Sequence, residues 1–157
     1  LVYSTVIMGV ADVQEWRGAF SGAEEVAGFL RANGLAQRPL AAYPDAEGSA
    51  VLPYLPGVRF YYLGLDEYGT CMPWNQRWVE GTHLPEAEVM RRLAARFPAS
   101  SGVVLVTAEP VSAPAGYGLV PLFQTRKPTF GTAAERYFVY GRGPLGPVAG
   151  STVEPRR

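Results

Sequence analysis

The stretch that most constrains this chain is Gly102-Val103-Val104-Leu105-Val106-Thr107. Four consecutive apolar, mostly β-branched residues leave no polar face, so a strand here must be covered on both sides. An antiparallel sheet with one wet face cannot supply that cover, but helices packed on both faces of a sheet can.

Two segments supply helices of the right kind. In Ser21–Gly34, Ser21 and Glu24 have the spacing of a capping box, and Phe20 precedes the cap as a hydrophobic staple. Val26, Phe29 and Leu30 recur at helical spacing, and Gly34 provides a stop, predicting a helix over Gly22–Ala32. In Leu84–Pro98, Pro85 suits the first helical position and Glu86 and Glu88 suit the first turn. Val89, Leu93 and Phe97 form a stripe with Met90 and Ala94 beside it, and Arg91, Arg92 and Arg96 fall late in the helix.

Further strands are expected at Pro39–Tyr43, at Val58–Leu63 before Gly64, and at Tyr137–Tyr140. Alternation puts Phe60 and Tyr62 on one face and Tyr61 on the other. A short helix is expected over Ser49–Tyr54, with Asp45 as a cap ahead of it and Pro53 limiting its length. Gly116–Thr125 reads as an edge strand, the place where Pro121 is tolerated. The expected architecture is an open three-layer α/β sandwich, a mostly parallel sheet with an antiparallel C-terminal edge. Its 157 residues make one domain over 1–143, followed by a flexible Gly/Pro-rich tail over 144–157. Residues 1–13 carry the apolar run Val6–Val10 and read either as a first strand or as the stub of a membrane helix.

The net charge of +0 gives no electrostatic footprint for nucleic acid. One cysteine excludes an intrachain disulfide and a cysteine-based zinc site. Gly64, Gly69, Gly116 and Gly118 match no dinucleotide or phosphate-loop fingerprint, and no cofactor is expected.

The residues with chemical potential cluster between Tyr54 and Trp78. Tyr61, Tyr62, Tyr68, Trp74 and Trp78 offer rings that stack on sugars, beside Asn75, Gln76 and Arg77 to read hydroxyls; the same rings equally suit core packing. The candidate ligand-binding set is Tyr61, Asp66, Tyr68, Trp74, Asn75 and Arg77. Asp66 and Glu67 are adjacent, so their side chains diverge; a glycosidase-like pair needs a partner from elsewhere, such as Asp45 or Glu80. Cys71 has no cationic cluster around it and reads as a partly buried small residue rather than a nucleophile. His83 is the only histidine and reads as a helix-start residue; one histidine does not build a usual zinc site.

The order of these pieces carries a resemblance. WRGAFSGAEEVAGFLRANG is followed by RPLAAYPDAEGSAVLPYLPGVRFYYLG, a tryptophan-bearing loop, VVLVTAE and a closing ERYFVYGRG. Over nearly all of Leu1–Gly143 this resembles the soluble domain that follows the last membrane helix in bacterial membrane proteins of the dolichyl-phosphate-mannose-type glycosyltransferase kind, and related uncharacterised membrane proteins. The resemblance implies a catalytic acidic residue in an early loop outside this stretch and a lipid-linked sugar as donor. It implies for this chain an accessory, non-catalytic, extracytoplasmic role, membrane-associated through its parent chain, with LVYSTVIMGV as the stub of the last membrane helix. The partners it implies are the membrane-embedded portion of that chain and a glycan or lipid-linked sugar. Two other readings rest on the residues alone: a carbohydrate or small-molecule binding module built on the aromatic loop, and a small hydrolase using Asp66 or Glu67 with His83.

Overall fold

A computed structural model describes residues 22–71, 73–126 and 136–146. Ser21, Phe20 and the whole 1–13 stretch lie outside them, so the capping box, the staple and the strand-or-membrane-stub reading do too. Within them, no helix is long and apolar enough to cross a membrane.

The protein is a mixed α/β sandwich. Helix α1 (Ala23–Ala32) leads through a 3-10 turn into β1 (Leu40–Tyr43). Helix α2 (Asp45–Val51) and a 3-10 turn (Leu52–Tyr54) precede the hairpin of β2 (Phe60–Tyr62) and β3 (Glu67–Gly69). Helices α3 (Gln76–Gly81) and α4 (Glu86–Arg96) follow, then β4 (Val103–Thr107), a 3-10 turn (Pro114–Tyr117), β5 (Leu119–Gln124) and β6 (Phe138–Arg142).

The six strands form one sheet in the order β3-β2-β1-β4-β6-β5. The centre is parallel: β1 pairs with β2 and with β4. Both margins are antiparallel, β2 with β3 on one side and β4 with β6 and β6 with β5 on the other. From β1 the chain steps to β2 on one side and returns to β4 on the other, so the order reverses at β1.

Two buried clusters account for the two faces. Ala23, Val26, Ala27 and Leu30 of α1 and Val51 of α2 pack with Leu40, Phe60, Tyr62, Val104 and Val106. Val89, Met90 and Leu93 of α4, with Phe97, pack with Ala41, Tyr61, Val103, Leu105 and Tyr140. All five β4 side chains are buried, as the apolar run demanded. Fully burying one such valine or leucine is worth about 1.5–3 kcal/mol, which is why this strand sits at the centre.

Several expectations are corrected. The second helix starts at Asp45, not Ser49, because Pro44 stands at its N-cap and Asp45 and Glu47 fill its first turn. Pro53 lies at the start of the 3-10 turn that continues it, where its missing N–H costs least. Strand β2 is shorter than Val58–Leu63 because Val58 N bonds Leu55 O in the preceding turn. The segment after Leu63 is not one long loop; it holds β3 and α3. Pro85 stands at the N-cap of α4 rather than inside its first turn. Pro121 does lie in the edge strand β5, where a register shift separates Pro121 from Phe123. The start of the expected flexible tail is packed: Leu145 lies against the first cluster and its carbonyl accepts from Arg38 at 3.2 Å.

Candidate functional site

The carboxyl ends of β1 and β2 carry a buried polar hub. Asp45 is 2 % exposed. Its Oδ1 accepts from Gly64 N at 2.9 Å and its Oδ2 from Leu65 N at 3.0 Å. The expected helix cap is thus a clamp between strands: Asp45 ties the end of β1 to the β2–β3 turn. Burial pushes its carboxyl up to about 6, against the two amide hydrogen bonds and the nearby Arg92, which pull it down.

Two further side chains hold the same turn, and a third docks a neighbouring segment beside it. Arg92 donates to Leu63 O and Gly64 O at 3.0 and 2.9 Å, and is itself fixed by Glu88 at 2.9 Å. Arg77 donates to Leu65 O at 2.9 Å. Tyr43, at the end of β1, accepts from Leu84 N at 2.8 Å and faces the Thr82 and Leu84 carbonyls at 3.1 Å. The 82–84 segment is therefore docked on the end of β1, beside the point where strand order reverses, which in open sheets is the usual place for a ligand.

Beyond this hub lies the aromatic surface. Trp74 is 77 % exposed and packs edge-on against Trp78, with ring centroids 4.6 Å apart. Trp78 is half-buried against the first cluster, and its indole N–H is buried without an acceptor among the described residues. Asn75 caps α3: its Oδ1 accepts from Trp78 N at 3.0 Å. We expect Asn75→Ala to cost about 1 kcal/mol of local stability, visible as faster amide exchange through α3.

Tyr68 lies on the edge strand β3 and is 37 % exposed. Its ring meets Tyr61 edge-on at 5.0 Å, and the guanidinium carbons of Arg96 and Arg59 stand 5.3 and 5.8 Å from its centroid. Tyr61 is 6 % exposed and packs against Phe97 in the second cluster. Its hydroxyl donates to Asp66 Oδ1 at 2.5 Å. Burial pushes this phenol up to about 12, and the hydrogen bond to Asp66 pushes the same way.

The candidate residues thus divide. Tyr68, Trp74 and Arg77 are exposed around the β3–α3 segment. The Tyr61 ring faces the core, so what it offers the surface is its grip on Asp66. Asn75 spends its carbonyl oxygen on the cap. The hydrolase grouping does not assemble as an acid–base pair: Asp66 is held by Tyr61, Glu67 pairs with Arg77 at 3.4 Å, and exposed His83 bonds to neither carboxylate. Cys71 is exposed, contrary to the expected partial burial, because β3 is an edge strand and the chain leaves it into solvent. No group of three or more His, Cys, Asp or Glu suited to a metal ion occurs among the described residues.

The residues that sequence reasoning missed are Tyr43 and Arg92. Their partners are backbone groups about 30 to 40 positions away, a kind of pairing that no local pattern reveals.

Fold and site together define an α/β sandwich with a clamped strand-end hub, an exposed Trp74 packed on Trp78, and Tyr68 packed on Tyr61 at the edge strand. Comparison of the chain with family models, curated proteins and solved structures found no match.

Proposed function

We propose that this chain is an accessory, non-catalytic contact domain whose exposed Trp74–Arg77 segment binds a sugar, as part of an extracytoplasmic, membrane glycosyltransferase-like protein. The observation that carries the binding role is Trp74: a large ring exposed to 77 %, braced edge-on by Trp78 on a capped helix. A ring held this way presents a flat apolar face with little entropy left to lose on binding. Arg77, three residues further along the chain and exposed, offers guanidinium donors suited to hydroxyls and is already fixed by Leu65 O. The parent-chain context rests on the resemblance of the ordered segments described above, and it makes the membrane-embedded portion of the same protein the second partner of this surface.

The test is a titration with neutral mono- and oligosaccharides followed by tryptophan fluorescence. Binding is expected, and Trp74→Ala should weaken it about five- to tenfold, as loss of one aromatic contact does. Failure of every sugar to shift the emission, or wild-type affinity in Trp74→Ala, would remove the sugar-binding reading. A photo-crosslinking residue at position 74 of the full-length protein tests the context: adducts with membrane segments of the same chain support it, and their absence counts against it.

A further inference from the structure

On the helix α4 face, at the opposite end of the sheet from the Asp45 hub, lies a groove of about 380 Å³. Its apolar floor is Met90 and Leu93, its walls include Ala94, Ala99 and the turn Gly116–Gly118 with Tyr117, and Arg142 stands within it. This volume is in the range that takes a small organic ligand.

Arg142 is the informative residue. It is the last residue of β6, on the same face as Tyr140, paired with Val103 and Leu119 at the starts of β4 and β5. Its Nε donates to Tyr117 O at 3.3 Å and its Nη1 to Phe97 O. Both acceptors are neutral carbonyls. Among the described residues no carboxylate forms an ion pair with Arg142. A guanidinium has five N–H donors. Two are used, so one hydrogen on Nη1 and both on Nη2 remain free, while the two carbonyl bonds hold the plane in place. A fixed guanidinium with free donors, half-buried beside an apolar floor, is complementary to a carboxylate attached to an apolar body. The glycines and alanines of the walls leave room for that body: a methyl group at Gly116 would meet nothing within 4 Å.

We propose that this groove is a binding site for a small carboxylate with an aryl or short alkyl body, its carboxylate on Arg142 and its body over Met90 and Leu93. The site is separate from the aromatic surface and does not depend on it.

Phenylacetate, hexanoate and their amides serve as probes, read by calorimetry and by chemical-shift changes of the Gly116 and Gly118 amides. The carboxylates should bind and perturb these amides; the isosteric amides should bind at least about tenfold more weakly, as expected for loss of a charge-assisted pair. Arg142→Met should abolish the discrimination. Because Arg142 also braces two carbonyls, Ala94→Phe provides the second variant: Ala94 is exposed on α4, and the larger ring fills the groove with Arg142 intact. It should weaken carboxylate binding while the melting temperature stays near that of the wild type. Equal binding of acid and amide, no binding of either acid, or unchanged affinity in Ala94→Phe would each overturn the proposal.

Discussion

Asp45→Ala should destabilise the protein by about 3 kcal/mol near pH 4 and by much less at pH 7. The substitution strands two buried amide donors, Gly64 N and Leu65 N, each costing about 1–3 kcal/mol when left unpaired. At pH 7 a second effect opposes that loss. Burial raises the Asp45 carboxyl in the folded protein to about 6, against an ordinary value of 3.8. Between those values the folded state holds a proton that the unfolded state has released. The stability Asp45 contributes is therefore complete below about pH 4 and is lost as the pH rises through about 6. A shift of about two units corresponds to roughly 3 kcal/mol, so removing the buried charge at pH 7 offsets much of the hydrogen-bond loss. Denaturant melts of the wild type and the variant at pH 4, 5, 6 and 7 measure the difference. A penalty that stays constant, or grows toward pH 7, would show that the folded protein does not raise this carboxyl.

Gly81→Ala should cost about 2–3 kcal/mol although it adds a single methyl group. Gly81 ends α3 with its backbone against Gly64, so a Cβ there would sit 2.5 Å from Gly64 O and 2.7 Å from Gly64 C. Backbone cannot rotate out of the way as a side chain does, and Gly64 is held from three directions by Asp45, Arg92 and the end of β2. Gly64→Ala meets the same wall from the other side, with Asp45 Oδ2 at 2.6 Å and Gly81 O at 2.8 Å. Once one methyl group has forced the two segments apart, the second should cost less, so the double variant should be less destabilised than the sum of the singles. Gly28→Ala is the control. Gly28 lies inside α1 with open space where its Cβ would be, and alanine there should stabilise by about 0.5–1 kcal/mol. Thermal or urea melts of the four variants provide the comparison, and a Gly81→Ala protein as stable as the wild type would mean that α3 does not rest on the β2–β3 turn.

The legible elements were those whose own side chains specify them. Val103–Thr107 was readable as a strand covered on both faces because its sequence has no polar side. Helices α1 and α4 were readable because their apolar stripes recur at helical spacing, and the stripe of α4 became the contact with the second cluster. The alternation of Phe60, Tyr61 and Tyr62 also held, with Phe60 and Tyr62 in one cluster and Tyr61 in the other. Strand β3 and helix α3 escaped notice because they are three and six residues long, too short to show a period. They exist because Tyr61 pairs with Tyr68 across the hairpin and Asn75 caps the turn that follows.

The aromatic stretch shows the division most clearly. Its composition alone determined that rings would be concentrated between Tyr54 and Trp78, and the strand pattern determined which of Tyr61 and Tyr62 shared a face with Phe60. Only the tertiary structure decided that Tyr61 is buried while Trp74 stands in solvent, because that depends on α4 covering one face of β2 and on Trp74 following β3, the edge strand of the sheet. Likewise the sequence placed an aspartate after Tyr43-Pro44, but its purpose was set by two amides 19 and 20 residues away that the fold brings within 3.0 Å. Periodicity reports how a segment meets an apolar core, since burial is paid residue by residue along the element. It carries no information about which distant backbone groups a polar side chain will satisfy, because those partners are assembled only when the whole sheet is in place.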